Sequence, residues 1–284
     1  MISKKRLFPT VAVAVILLLS FNCTAQSYLF ASYNLRFDNK NDTGNLWKDR
    51  MPAVASLIRY HDFDIFGTQE GLLNQLEDLL RELPEYACYG KGRDDGATRG
   101  EHAAVFYKKE LFSLLASGDF WLSETPDKPG PGWDATCCNR ICSWVYLQDK
   151  KSKKRFYFFN VHFDHQGKVA RVESSKLMLN KIKEITKGSP AILTGDFNAG
   201  RETEPYKIIA GSDLVRDSYK EVQHPYANNS SFNGFGKSLN DYEVIDHIFI
   251  TSQFKAVKWG ILTDTYFGKF PSDHFPVEAS VELK

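Results

Sequence analysis

The chain has 284 residues, 43% of them hydrophobic and 14% aromatic, with a formal net charge of +1. That composition excludes a disordered or fibrous chain and leaves a folded globular protein long enough for a large core. Charge so near balance gives no overall electrostatic pull toward DNA or an acidic membrane surface, although a local basic patch stays open.

The first residues differ from the rest. Lys4, Lys5 and Arg6 precede an apolar run from Val11 to Leu19, followed by small residues through Ala25, which is the order of a secretory signal peptide. The run is too short for an ordinary membrane span. Residues 1–25 are therefore expected to be a signal peptide cut after Ala25, and the mature protein to be exported, periplasmic or extracellular. Lipidation at Cys23 is the less favoured alternative, because Phe21 and Asn22 are poor neighbours for it. Loss of the signal's cations brings the formal balance to about −2. Cys88, Cys137, Cys138 and Cys142 remain. Their spacing is not a zinc pattern, and in an oxidising compartment it allows one disulfide whose pairing stays open.

From residue 26 onward short strands alternate with amphipathic helices, without repeat, low-complexity tract or linker, so one domain is expected over 26–284. Tyr28 to Tyr33 reads as a strand leading to Asn34 and Arg36. Trp47 to Tyr60 has Met51, Val54, Ala55 and Ile58 at helical spacing, with Pro52 tolerable in the first turn. Phe63 to Thr68 is a strand leading to Gln69 and Glu70, and Leu72 to Glu82 a second helix. A Gly-rich charged loop, GKGRDDGATRGEH, precedes the strand Ala103 to Tyr107, and Ser123 to Trp133, rich in proline and glycine, predicts an irregular surface loop. Strands follow at Ile141 to Leu147 and Phe156 to Val161, the second ending at His162. A long helix from about Lys168 to Ile185 places Val172, Leu179 and Ile182 on one face. Ala191 to Thr194 is a short apolar strand that breaks at Gly195 and delivers Asp196 and Asn198 just beyond its end. A short helix near Glu204 to Ala210 and strands at Val244 to Ile250, Val257 to Thr263 and Val277 to Val281 complete the chain.

The strand ends carry the chemistry. Several strands are expected to finish with Asn34, Glu70, His162, Asp196 with Asn198, and Asp246, and Ser272, Asp273 and His274 stand just before the last strand. A strand end is where polar side chains can converge on a ligand while the strand itself stays buried. In an extended segment Asp196 and Asn198 point the same way: the carboxylate can take a proton from water while the amide holds an oxygen without repelling it. If these ends lie side by side, one rim gathers several carboxylates with few cations, which is unfavourable unless a metal ion neutralises them. Oxygen donors select magnesium, manganese or calcium, and magnesium fits best where one or two carboxylates act together with a substrate phosphate.

The motifs SYNLRF, TQE, NVHFDH, GDFN, IDHIF and SDHFPV, in that order, resemble those of the endonuclease/exonuclease/phosphatase superfamily, which includes pancreatic deoxyribonuclease and inositol polyphosphate phosphatases. Secreted members from Bacteroides-like bacteria, which share the GRDDG and FWLSETP stretches, are the most similar in feel. The resemblance implies an α/β four-layer sandwich, two packed mixed β-sheets flanked by helices, and magnesium-dependent hydrolysis of a phosphate ester, with manganese as substitute. It assigns Glu70, Asn34 and Asp273 to the metal, Asp196 to the attacking water and Asn198 to that water or a phosphoryl oxygen. His274 would face the phosphate, held protonated by Asp246, with His162 as a second histidine supported by Glu101. Arg36 and Arg140 would grip phosphate oxygens. His102 after Glu101 departs from the apurinic endonuclease branch, so that branch's substrate is not carried over.

Competing readings stay open. Arg36 can pair with a surface acid, Asp164 and His165 can form a polar turn, and Arg93, Asp94 and Asp95 read as a solvated loop. Trp121 and Trp133 either line the cleft or bury the proline-rich loop. The chain lacks a basic, aromatic-interleaved stripe for nucleic acid and an obvious apolar hairpin for a membrane. A small soluble phosphoester is therefore the favoured substrate, and the protein is expected to be a monomer. A nuclease, or a binding protein that kept the fold and lost the reaction, are the alternatives.

Overall fold

The computed structural model describes residues 26–226, 229–239 and 241–284; the expected signal segment and Cys23 lie outside the described residues. Two six-stranded sheets form the centre. The first runs in the order β11 (Phe254–Ile261), β12 (Val277–Leu283), β1 (Gln26–Asn34), β2 (Ile65–Gln69), β4 (Val105–Lys108), β3 (Tyr86–Tyr89). The second runs β5 (Phe112–Trp121), β6 (Ile141–Asp149), β7 (Arg155–His162), β8 (Ala191–Asp196), β10 (Asp246–Ile250), β9 (Arg216–Asp217). Each sheet holds a parallel pair, β1 with β2 and β7 with β8, among antiparallel neighbours. A parallel pair needs a crossover. It is supplied by helix α1 (Trp47–His61) in the first sheet and by α3 (Lys168–Thr186) in the second. With α2 (Leu73–Glu82) and α4 (Glu204–Ala210) these helices cover the outer faces, giving the four-layer sandwich implied by the sequence.

The inner faces meet in an aromatic-rich core that includes Tyr28, Phe30, Phe156, Phe158 and Phe254. One polar cluster interrupts it. Asn160, fully buried on β7, donates through Nδ2 to the carbonyls of Thr68 (2.8 Å) and Ala104 (3.0 Å) in the opposite sheet. Its Oδ1 accepts from Gln69 Nε2 at 2.7 Å and Thr194 Oγ1 at 3.1 Å. Gly67 makes room for it, since a Cβ there would stand 2.2 Å from Asn160 Oδ1. Side chains two apart on a strand share a face. Asn160 therefore lies directly beneath His162, and Thr194 beneath Asp196, so the cluster fixes the two sheets against each other just under the rim.

Several elements differ from the sequence reading. The strands β3 and β5 were not expected: β3 is four residues long, and β5, an edge strand with a bulge between Leu114 and Ala116, contains Ser, Gly and Asp and is half exposed. Only packing reveals such edges, because neither has the alternation of a strand with one dry face. Helix α3 buries Ala170, Ser174, Met178 and Ile182, whereas Val172 and Leu179 stay at its margin. Small residues there let α4 approach, with Ser175 Oγ donating to the Pro205 carbonyl. Asp246 begins its strand and does not end it. A tight turn at Tyr266 to Lys269 leaves Phe267 fully exposed, an apolar tip that the sequence did not announce. Among the described residues no helix is long and apolar enough to cross a membrane.

Replacing Asn160 by Ala removes four buried hydrogen bonds at once, leaving the Ala104 carbonyl with Thr68 N and Gln69 Nε2 with Ser32 Oγ as remaining partners. It should cost about 3 kcal/mol or more of unfolding free energy in urea melts. A cost below about 1 kcal/mol would show that the sheets are aligned by apolar packing alone.

Candidate active site

The two parallel pairs end on the same rim, one from each sheet. Asn34, at the end of β1, bridges them: its Nδ2 donates to Glu70 Oε1 at 3.1 Å and to Asp196 Oδ2 at 3.0 Å. Antiparallel pairing sets Asp246 opposite Asp196, so the start of β10 reaches the rim where β8 ends. His274 enters from the loop before β12, with Nδ1 2.9 Å from Asp246 Oδ2. That loop is tied down by Ser272 Oγ donating to the Asn34 carbonyl at 2.7 Å and Arg50 Nη1 donating to the Pro271 carbonyl at 2.6 Å. Arg36 (φ 56°), Glu70 (φ 63°) and Asn198 (φ 46°) all adopt left-handed backbone one or two positions past the ends of their strands. Each such non-glycine residue costs about 1–3 kcal/mol, which the surrounding structure must enforce. The turn swings each side chain back over the rim instead of along the strand.

Electrostatics divides the two histidines. His274 is fully buried, which by itself would lower its pKa, but the bonded Asp246 and the nearby Asp196 and Asp273 outweigh burial and raise it to about 10. It is therefore an imidazolium at neutral pH. His162 goes the other way: burial, then the positive charges of Arg140 and Arg93, push its pKa well down, so it is neutral. Its Nε2 lies 3.6 Å from Asp196 Oδ2, and His274 Nε2 lies 3.8 Å from the same oxygen. Asp196 is held above the usual carboxylate range by burial and by the Asp246 charge. Asp273 is raised by burial, with His274 opposing and Glu70 adding to the rise.

Every residue expected at the site from the sequence comes to this rim, but some are engaged differently. Arg36 is paired bidentately with Asp42 (2.8 and 3.1 Å) and stands 3.7 Å from Asp273 and 3.9 Å from Glu70. Arg140 is buried, with Nη1 3.0 Å from His162 Nε2, Nη2 2.7 Å from His165 Nδ1 and Nε 3.3 Å from Asp164. Glu101 lies 3.8 Å from His162 Nδ1, beyond hydrogen-bond distance, and its close partner is Arg93 at 2.5 Å. Arg93, read from sequence as part of a solvated loop, lines the cavity instead. Nothing in its neighbourhood marks it, because the loop's charges only find their places once it folds. Trp121 buries that loop, its Nε1 donating to the Arg93 carbonyl at 2.7 Å. Cys137 and Cys138 form a disulfide between adjacent residues, and Cys138 borders the cavity; Cys88 and Cys142 are free.

These side chains surround an open cavity of about 520 Å³. Ligand atoms of Asp196, Asp246 and His274 lie within 4.8 Å of one another. His274 gives Nδ1 to Asp246, however, and keeps its proton, so this trio suits proton handling better than a cation. Glu70 and Asp273 offer hard oxygens instead, while Asn34 turns its Nδ2 to Glu70 and its Oδ1 to Arg36 N (3.0 Å), so its amide would have to turn over to join them. With Arg36 and the His274 imidazolium as the neighbouring cations, and Asp273 held above its ordinary pKa by burial, the two carboxylates fit a divalent ion.

Comparison with known proteins assigns the fold to a family. The family model of the endonuclease/exonuclease/phosphatase family matches residues 31–274, and the chain belongs to that family. It is similar to a crystal structure of a family member from Bacteroides thetaiotaomicron, 45% identical with a TM-score of 0.89, covering 92% of this chain and 99% of that one. It is similar also to a mannosyl-6-phosphatase of the same organism, 46% identical with a TM-score of 0.88, covering 90% of this chain and 100% of that one. Among curated proteins, the Ccr4 3'-5'-exoribonuclease subunit of Aspergillus niger is 22% identical over 81% of this chain, which spans about half that protein's length (46%).

Carboxylates whose pKa burial has raised hold protons more tightly folded than unfolded. In metal-free protein the stability they contribute is lost as pH climbs from the usual carboxylate range, about pH 4, toward neutrality. A divalent ion held by Asp273 would compete with the proton there. The rise in Tm on adding millimolar magnesium to EDTA-treated protein should thus be larger near about pH 8 than near about pH 5. An equal rise at both, or none, would mean that these carboxylates do not meet the ion.

Proposed function

We propose that the protein is an exported, divalent-metal-dependent phosphatase that hydrolyses a small phosphorylated sugar by attack of water on phosphorus. The observation that carries this reading is the 520 Å³ cavity. It joins one imidazolium, one neutral histidine, a carboxylate with a raised pKa and a separate set of hard oxygen donors. The similarity to a mannosyl-6-phosphatase over nearly the whole of both chains supports a sugar phosphate as the ester.

Asp196 is the group placed to take the proton of the attacking water, since a base with its pKa raised toward neutrality is matched to the task. Asn198, whose Nδ2 donates to the Phe163 carbonyl at 3.0 Å, holds its side chain over the same space. His274, kept charged by Asp246, faces the phosphate and strengthens its hold as negative charge builds on the oxygens. Neutral His162, wedged between Arg140 and Asp196, can donate one N–H to a phosphoryl or leaving oxygen. Arg140 acts through the histidines it orients, and Arg36 adds positive charge beside the metal donors. Asn34, Glu70 and Asp273 would hold magnesium, or manganese in its place, which when bound neutralises phosphoryl oxygens and the departing alkoxide. Export follows from the charged, apolar and small-residue order of residues 1–25.

Asp196→Asn removes the base and keeps the shape, so turnover at saturating magnesium should fall about 10²–10⁴-fold with little change in Tm. His274→Ala should cost a similar factor, and Asp246→Asn less, because it alters only the support of the imidazole. Near-native turnover in Asp196→Asn, or losses that merely track unfolding, would make these residues structural. Activity on a hexose 6-phosphate should also vanish with EDTA and return with magnesium. A protein inert toward hexose phosphates, RNA and DNA under all metal conditions would be a binding protein on this fold.

A further inference from the structure

The loop between β3 and β4 is built to hold one ion pair at the cavity wall. Arg93 N donates to the Glu101 carbonyl at 3.0 Å and Asp94 N to the Arg99 carbonyl at 3.1 Å, so the loop folds back on itself as a small closed ribbon. A Cβ at Gly92 would come 2.2 Å from the Arg99 carbonyl oxygen, and Gly100 has φ +83°, so both glycines are needed for the closure. Trp121 Nε1 and Asn139 Nδ2 (2.7 and 3.2 Å) both donate to the Arg93 carbonyl, fixing the base of its side chain from below. Across the ribbon Arg93 Nη1 donates to Glu101 Oε2. The Arg93 and Glu101 side chains are only 12% and 15% exposed, and both line the cavity. Glu101 Oε2 stays 3.8 Å from His162 Nδ1, beyond hydrogen-bond distance. A rigid, nearly buried ion pair that fronts the cavity presents its accessible edge to whatever fills it.

We propose that Arg93 and Glu101 form a subsite that reads adjacent hydroxyl groups on the sugar ring of the substrate, the guanidinium donating to one and the carboxylate accepting from its neighbour. The proposal rests on the reading of the protein as a sugar phosphatase. A side-by-side donor and acceptor matches a vicinal diol, in which each hydroxyl can give one hydrogen bond and take another. Position suits it too. His162 spans the gap between Asp196 at 3.6 Å and Glu101 at 3.8 Å, so the pair stands one imidazole away from the reacting centre, comparable to the separation of a 6-phosphate from hydroxyls across the same ring. The disulfide-bridged Cys138 borders the same wall and offers an apolar surface for ring carbons.

The test compares mannose 6-phosphate with cyclohexylmethyl phosphate, a primary ester of the same size without ring hydroxyls, at saturating magnesium. It uses wild type, Arg93→Met, Glu101→Gln and the double variant Arg93→Met/Glu101→Met, which removes both charges together and leaves neither buried alone. Hydrogen bonds to charged groups predict that the ratio of kcat/KM for the sugar ester over the hydroxyl-free ester falls about 10- to 100-fold in each variant, chiefly through KM. If wild type itself shows no preference for the sugar ester, the sugar-phosphatase reading fails and takes the subsite with it. If wild type prefers the sugar ester and the variants keep that preference, the reading stands and the subsite is overturned. A fall in kcat that is equal for both esters in Glu101→Gln would place Glu101 as support for His162 and would likewise overturn the proposal.

Discussion

The site depends on a polar contact buried well below it. Two sheets packed through aromatic side chains can slide over one another at little cost, because apolar contact is not directional. The amide of Asn160 removes that freedom: it takes two carbonyls and two donors from the opposite sheet and its own neighbour strand, in a medium where leaving any of them unpaired is expensive. Ser32 joins the same cluster through Gln69 Nε2 at 3.1 Å. Ser32, Asn160 and Thr194 each lie two residues below a rim residue, Asn34, His162 and Asp196 respectively. Locking the lower row sets the upper one, and the 3.0 Å bond from Asn34 to Asp196 is the visible result.

On that fixed rim the charges are arranged so that burial alone would undo them. Asp196 and Asp273 are pushed toward their neutral forms and His274 would be too, were Asp246 not bonded to it. The outcome is a row of groups poised at different protonation states within a few ångströms. Such a row is poor for stability and useful for moving protons. The left-handed backbone at Arg36, Glu70 and Asn198 belongs to the same compromise. Arg50 holds part of it in place: fully buried on α1, it donates to the carbonyls of Leu35, Arg36, Asn45 and Pro271, and so joins the turn carrying Arg36 to the one carrying Asp273.

Much of this was legible in the chain. Asn34, Glu70, Asp196 and the SDH cluster follow or precede apolar runs, so their convergence could be anticipated from strand ends alone, and the order of the six motifs carried the fold. What stayed hidden depended on contacts distant in sequence. Arg50 looks like an ordinary helix-surface cation, Asn160 like an interruption in a strand, and Arg93 like one charge in a flexible loop. Arg50 and Asn160 are defined by partners distant in sequence and Arg93 by a partner across a folded loop, and no local periodicity encodes those. The edge strands β3 and β5 were missed for the related reason that their sequences follow the demands of a loop as much as those of a sheet. Asp119 on β5 accepts from Tyr89 on β3 and from Ser143 on β6, a polar use of a strand position that alternation rules do not foresee.

The division between rim and loops also bears on how one fold serves different esters. The residues proposed to handle the proton and the metal sit on strand ends or in the loop just before β12, where the core fixes them to within a hydrogen bond, and changing them would disturb the alignment described above. Whereas Arg140 is tied to His162 and His165, the segments 91–101 and 133–139 lie outside that constraint. They are held by a few contacts, Trp121 and Asn139 to Arg93 in one case and Asp134 to the first turn of α3 (Asp134 Oδ1 accepting from Ala170 N at 2.7 Å) in the other. A loop anchored at so few points can exchange its tip without cost to the sheets, and the tips are what the cavity presents to the organic part of a phosphate ester. On the phosphatase reading proposed above, the choice of ester would then be set by residues that the core does not need.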